Sequence, residues 1–195
     1  HARVYDVLQL IEKPQADPRN YQHAVLKNGL KALSIQDPSS RFAAFALAVE
    51  AGSDDDPQEL PGLAHLCEHL LFLGTERFPE PGGYRSFMAE HGGSHNAFTA
   101  RGVTVYFGEV AHTAAEEALD RFADFFRAPL FKPESVQKEV HAIDSEHAKN
   151  VQNPSRRVLE TVNALANPAS PGSRFHTGNL ETLSKGPQER NISAV

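Results

Sequence analysis

The sequence is poor in the residues that cross-link or anchor small folds. Its 195 residues include a single cysteine, Cys67, one methionine and no tryptophan. One cysteine cannot form an intrachain disulfide, so a disulfide scaffold is excluded and a reducing compartment is permitted. The first residues show no basic segment followed by an apolar run, so no signal peptide is predicted and we expect a cytoplasmic protein.

Long hydrophobic runs and clusters of positive charge are also missing. The longest apolar stretches, such as residues 42–49, are far shorter than the ~20 residues of a membrane span. Lysine and arginine are scattered along a chain with a net charge of −6, so we expect no nucleic-acid partner. With 40% hydrophobic and 23% charged residues, the composition is that of a globular domain with a substantial core.

The order of the predicted elements indicates an α+β fold. Residues 1–22 predict an N-terminal arm, and residues 23–195 predict the domain itself. A hairpin is predicted around Asn28-Gly29, and the continuous apolar run 42–50 predicts a buried strand. Further strands are predicted over 94–99 and 103–110, and helices over 62–73, 84–91, 112–127, 134–151 and 155–165. We therefore expect a largely antiparallel sheet with helices packed on one face.

Loops account for most of the remaining sequence. The acidic run Asp54-Asp55-Asp56 follows the strand predicted over 42–50 and is interpreted as a solvated turn rather than as a calcium site. From Asn167 onward, proline, glycine, serine and asparagine dominate, which favours irregular structure. His176 in this segment has no partner at metal-ligand spacing and is interpreted as a surface or capping histidine.

The strongest chemical signal is the segment from His65 to His69, which reads His-Leu-Cys-Glu-His. On a helix the two histidines are i and i+4 and project from the same face, so both imidazoles can reach one metal ion. Glu68 shares that face without necessarily binding the metal. This H-x-x-E-H order is the reverse of the commoner H-E-x-x-H zinc helix. The motif also arises by chance, and a histidine pair on a helix is often only solvated, so a third ligand is needed.

Candidate carboxylates for that third ligand lie on the helix predicted over 134–151. Glu139 and Glu146 are i and i+7 on one face, and Ala142 and Ile143 between them keep that face otherwise apolar. Carboxylates on an apolar face indicate buried groups with a defined role. An ordinary amphipathic helix with acidic edges has the same spacing, so periodicity alone leaves both interpretations open.

Five segments of the sequence together carry a resemblance to a known family. They are 51–53 (Ala-Gly-Ser), 62–75 (the histidine motif with its flanks), 96–99 (Asn-Ala-Phe-Thr), 118–126 (from Ala118 to Phe126) and 144–147 (Asp-Ser-Glu-His). They resemble the pitrilysin and insulin-degrading enzyme family of inverzincin metallopeptidases, and the insulin-degrading branch in particular. Glu146 also lies 77 residues after His69, which is the family's spacing for its glutamate ligand.

The resemblance implies the N-terminal catalytic domain of a zinc-dependent endopeptidase. It implies one zinc ion held by His65, His69 and Glu146, between the H-x-x-E-H helix and the downstream helix that carries the glutamate. Glu68 would then be the general base that activates the zinc-bound water, and Glu139 would support the site from behind the ligands.

Substrate contacts and partners follow from the same resemblance. Asn96 and Ala97 match the strand edge along which a substrate peptide pairs, a form of β-augmentation. Family members carry several related domains, so the expected partners are peptide substrates and the C-terminal half of the enzyme, or a partner subunit, that closes the cleft.

The sequence departs from the family pattern at three positions. Val105 stands where the branch has an asparagine, and Arg156 and Leu159 stand at aromatic pocket positions. Whether this chain shares the family's usual preference for large apolar side chains of the substrate is therefore left open. The alternative function is that of a non-catalytic member serving as a binding or assembly domain, although relatives of that kind usually lose the zinc motif that this chain keeps.

Overall fold

The first compact unit of the chain is an antiparallel hairpin. This computed structural model describes residues 12–189, and the chain divides into two units between Arg41 and Phe42. In the first unit β1 (Asn20–Val25) pairs with β2 (Lys31–Gln36). The turn contains Gly29, whose φ of 86° is a conformation that favours glycine. The predicted hairpin is confirmed.

The predicted N-terminal arm lies only partly within the described residues. Residues 1–11 of the arm lie outside them, and β1 begins at Asn20, inside the range 1–22. The division into an arm and a domain from residue 23 stays a prediction.

The second unit is built on a three-stranded antiparallel sheet. Its strands are β3 (Phe42–Val49), β4 (Ser94–Thr99) and β5 (Thr104–Ala111), in the order β3-β5-β4. β5 is therefore central, and β4 pairs with a neighbour on one side. The prediction that 42–50 is a buried strand is wrong, because exposed and half-buried residues alternate along most of β3. Four alanines make this run apolar, and alanine is small enough to tolerate exposure.

Six α-helices accompany the sheet in the described residues. They are α1 (Leu63–Leu71), α2 (Gly83–Glu90), α3 (Ala115–Asp124), α4 (Pro133–Val151), α5 (Pro154–Leu165) and α6 (Gly186–Glu189). The helix predicted over 112–127 begins with a 3-10 turn, and residues 181–189, predicted to be irregular, are helical. Among residues 12–189, no helix combines the length and apolarity needed to cross a membrane.

Two hydrophobic clusters fix the helices of the second unit. The first packs α2 and α3 against the inward side of β5, around Tyr106, Val110 and Phe122. The second joins α1 to α4 through Leu66 and Ile143, which are both fully buried. Burial of each such side chain contributes about 1.5–3 kcal/mol. The predicted α+β class, with an antiparallel sheet and packed helices, is confirmed, and the second cluster places the H-x-x-E-H helix beside the glutamate-bearing helix.

Candidate metal centre

The start of α1 is fixed by a buried carboxylate. Asp56 accepts hydrogen bonds from the backbone N–H groups of Gly62, at 2.7 Å, and Ala64, at 2.8 Å. The first amides of a helix have no partner within the helix, so this carboxylate supplies one. Burial raises the pKa of Asp56, while these amide hydrogen bonds and then His176 act in the opposite direction. The interpretation of Asp56 as part of a solvated turn is wrong, since it is only 5% exposed.

Each histidine of the motif is oriented by a hydrogen bond at Nδ1. His65 Nδ1 lies 2.7 Å from the carbonyl oxygen of Thr177, and His69 Nδ1 lies 3.0 Å from Oε2 of Glu139. A carbonyl and a carboxylate can only accept, so each Nδ1 donates, and in the neutral form of each ring Nε2 carries the lone pair. Glu139 thus contacts His69 from the side opposite Nε2.

The two free nitrogens converge on Glu146. Oε2 of Glu146 lies 3.7 Å from Nε2 of His65 and 3.9 Å from Nε2 of His69, and the potential ligand atoms of the three residues all lie within 4.8 Å of one another. Two ligands of a tetrahedral zinc ion at 2.0–2.1 Å are about 3.3 Å apart, so the cluster is close to the required size. Asn150 donates to the other oxygen of Glu146, at 3.4 Å.

Glu68 lies beside this cluster in a different environment. Its side chain is buried, and its Oε2 accepts a short hydrogen bond of 2.6 Å from the hydroxyl of Thr99. Thr99 is the last residue of β4, so the strand fixes the position of the carboxylate. The convergent group of three does not include Glu68. The carboxylate is therefore held in place by the protein, outside the convergent group.

The metal centre opens into a cleft of about 570 Å³ along β4. Asn96 and Ala97 line it, as do Arg156 and Leu159 from α5. Within residues 12–189, β4 is an edge strand of the three-stranded sheet, so the structure places the two predicted substrate-binding residues on an edge strand beside the three convergent side chains.

A second cavity of about 460 Å³ adjoins the same stretch of β4. It shares Asn96 and Ala97 with the first and is otherwise lined by residues that include Phe72, Tyr84 and His95. The ring of His95 contacts the rings of Phe72 and Tyr84, with centroids 5.3 and 5.0 Å apart. Burial is the larger cause that lowers the pKa of His95, and the charge of Arg85 lowers it further. Both effects favour the neutral imidazole.

Several residues of this centre were missed by the sequence analysis. Thr177 contributes a backbone carbonyl, so its side chain carries no signal of that role. Asp56 and Thr99 act across loops and strands, and no local pattern marks such contacts. His176, predicted to be a surface or capping histidine, lines the cleft and has both ring nitrogens enclosed without a hydrogen-bond partner among the described residues. On the predicted face of α4, Ile143 is buried while Ala142 is exposed.

Fold and site together define an α+β domain with a cluster between two helices that could hold one metal ion. The sequence matches the description Insulinase (Peptidase family M16) over residues 31–174, which is well over half of the chain. The chain belongs to this family.

Individual relatives agree with that assignment. The chain is 48% identical to the A-factor-processing enzyme of Saccharomyces cerevisiae and 46% identical to the insulin-degrading enzyme of Homo sapiens; in each case the match covers 93% of the chain and 18% of the relative. The crystal structure of pitrilysin superimposes with a TM-score of 0.92 at 34% identity, and this match covers all of the chain and 20% of pitrilysin. The chain thus spans about a fifth of the length of these proteins.

Proposed function

We propose that the chain is the zinc-bearing catalytic part of a metalloendopeptidase. The observation that carries this proposal is the convergence of His65 Nε2, His69 Nε2 and the Glu146 carboxylate, with the buried Glu68 beside them. Membership of a peptidase family supports the same conclusion. Because the chain covers 18% of the matched relatives, the activity of the whole protein is part of the proposal.

The donor set suits one zinc ion. Two imidazole nitrogens and one carboxylate oxygen are a common catalytic zinc set, which leaves a further coordination position open. The hydrogen bonds from Nδ1 of His65 and His69 fix the tautomer in which Nε2 can bind the metal. A structural zinc site, by contrast, is usually closed by four ligands, often cysteines, and the single cysteine of this chain is not in the convergent group.

Glu68 is proposed as the general base. When zinc is bound it polarises the scissile carbonyl and lowers the pKa of a water molecule. The Glu68 carboxylate can then take a proton from that water and pass it to the leaving amine. Its hydrogen bond from Thr99 holds one oxygen in place, and the other oxygen can receive the proton.

The substrate is proposed to be an extended peptide paired with β4. Asn96 and Ala97 lie on this edge strand and border the cleft that contains the metal cluster. Backbone groups on the free side of an edge strand can hydrogen-bond an added strand. A partner that closes the cleft is proposed to be the C-terminal part of the same enzyme or another subunit.

We propose a cytoplasmic location on the basis of the single cysteine alone.

Replacement of Glu68 by glutamine tests the function. In the full-length enzyme, Glu68→Gln should keep its zinc, because the amide removes a base and not a ligand. Its turnover of a fluorogenic peptide should fall by at least ~10²–10⁴-fold. Glu134→Gln is the matched control, since Glu134 is an exposed carboxylate on α4, and it should leave both zinc content and turnover unchanged.

Two outcomes would contradict this assignment. Loss of zinc from Glu68→Gln would make Glu68 a ligand instead of a base. A wild-type enzyme that is fully loaded with zinc but cleaves no peptide would support the alternative, a domain that serves in binding or assembly.

A further inference from the structure

The orientation of His65 depends on a distant loop. The carbonyl oxygen of Thr177 that accepts from its Nδ1 comes from 112 residues further along the chain. We call residues 174–180 the support loop. Any displacement of this loop moves the acceptor and releases the ring of His65, so the contacts that hold the loop also control this ligand of the proposed metal site.

One attachment of the support loop is a hydrogen bond to α4. Oδ1 of Asp144 accepts from the backbone N–H of Leu180 at 2.9 Å. Leu180 follows Thr177 by three residues, and Asp144 precedes Glu146 by two residues on the same helix. Asp144 therefore couples the helix that carries the glutamate to the loop that orients the histidine.

A second attachment is a close backbone contact with α1. Gly178 has a φ of 80°, and a Cβ at this position would lie 2.7 Å from Cδ1 of Leu183. A Cβ on Gly62, which precedes α1, would overlap the Cα of Gly178. The two glycines let the loop backbone lie directly against the start of the helix that bears His65.

The end of the support loop is held by hydrogen bonds to the helical turn that follows it. The side-chain oxygen of Asn179 accepts from the N–H of Thr182 at 2.9 Å, and the hydroxyl of Thr182 accepts from the N–H of Asn179 at 3.1 Å. Leu183, which directly follows Thr182, is buried in the cluster that joins α1 and α4. The loop is thus a defined structure, with Asp144 as its polar link to α4.

We propose that Asp144 is a positioning residue of the metal centre, which acts by holding the support loop so that the Thr177 carbonyl orients His65. This inference rests on the proposed metal site but not on catalysis. Loss of a residue that orients a ligand from behind typically weakens metal binding by ~10–100-fold, and that range sets the expected effect.

The experiment compares zinc affinity in three variants of the chain. Zinc competition with a chromophoric chelator should show Asp144→Ala binding ~10–100-fold more weakly than wild type. Asp144→Asn should bind within ~3-fold of wild type, because the amide oxygen can still accept from Leu180. Ser145→Ala is the control at the residue adjacent to Glu146. The hydroxyl of Ser145 donates to the carbonyl of His141, so this variant should bind zinc like wild type.

Nuclear magnetic resonance provides a measurement that would not change if Asp144 were needed only for folding. The ¹⁵N shifts of His65 in metal-free wild type, recorded where the ring is neutral, should report a protonated Nδ1, and Asp144→Ala should give a mixture of tautomers. Circular dichroism checks that each variant is folded. The wild-type spectrum tests the proposal even where Asp144→Ala does not fold, because a protonated Nε2 would overturn it.

The remaining outcomes separate this inference from the proposed function. Equal losses of zinc affinity in Asp144→Ala and Asp144→Asn would overturn the inference, since they would show that the charge of Asp144 matters and not its hydrogen bond. Wild-type affinity in Asp144→Ala would also overturn it. Absence of zinc binding in wild type would instead contradict the proposed function.

Discussion

At the scale of single residues, the proposed metal site depends on the different roles of the two nitrogens in each imidazole ring. His65 and His69 both donate from Nδ1, to a carbonyl and to a carboxylate respectively. A ring that had to break such a hydrogen bond before binding metal would lose affinity, so prior orientation of Nε2 favours the metal. Glu146 faces both Nε2 atoms, so a carboxylate from another helix supplies the third donor of the proposed site.

Removal of a proposed ligand should remove most of the zinc. Wild-type protein is expected to hold about one zinc ion per chain, and His65→Ala and Glu146→Gln should each lose most of it, because two remaining ligands bind zinc weakly. Metal content after dialysis, measured by mass spectrometry, gives the stoichiometry. The control Glu134→Gln should keep its zinc, and full zinc in both ligand variants would refute the ligand assignment.

At the scale of elements, the sequence predicts the parts of the site that follow local patterns. Helical spacing places His65 and His69 on one helix, and α1 and α4 form where the periodicity predicts them. Contacts between distant segments have no such signature, so the cap of Asp56 on α1 was not predicted. The Thr177 carbonyl is a second example, because any residue type can supply a backbone oxygen.

The glycine that precedes α1 should be intolerant of a side chain. Gly62→Ala would place a methyl group at a φ of 96° and against the backbone of Gly178. Gly82 is the control, since it precedes α2 with a φ of 83° and a methyl group there would meet no other atom within 4 Å. Gly82→Ala should cost about 1–2 kcal/mol for the left-handed backbone alone, and Gly62→Ala a further 1–3 kcal/mol for the overlap.

Urea unfolding followed by circular dichroism measures this difference in the free energy of unfolding. Equal destabilisation by the two alanines would show that the contact between Gly62 and Gly178 contributes nothing beyond backbone strain. A larger loss for Gly62→Ala should be accompanied by weaker zinc binding, because the support loop would be displaced together with its carbonyl.

At the scale of the whole molecule, the cleft is only part of the proposed peptidase site. The described residues provide the metal cluster, Glu68 and the open edge of β4, and the chain spans 18% of the matched relatives. The resemblance in sequence predicts further domains that close over the substrate. Positioning of the scissile bond can account for ~7–11 kcal/mol of barrier.

The 195-residue chain should therefore bind zinc but cleave peptides poorly. Addition of the separately expressed C-terminal part of its parent enzyme should restore cleavage, because that part would complete the binding surface around the substrate. A fluorogenic peptide assay, with the chain alone and after mixing, measures the effect, and mixing with Glu68→Gln is the control. Activity of the isolated chain equal to that of the parent would show that the site is complete within these residues.

The edge position of β4 has a consequence for what the proposed peptidase can select. Hydrogen bonds to a strand edge are made by backbone groups, which are the same in every amino acid except proline. A segment that is already paired in a native sheet or helix has no such groups to offer. If this edge receives the substrate, the first criterion for recognition is the conformational state of the polypeptide: a stably folded protein would be ignored, and the same sequence would become a substrate once it unfolds.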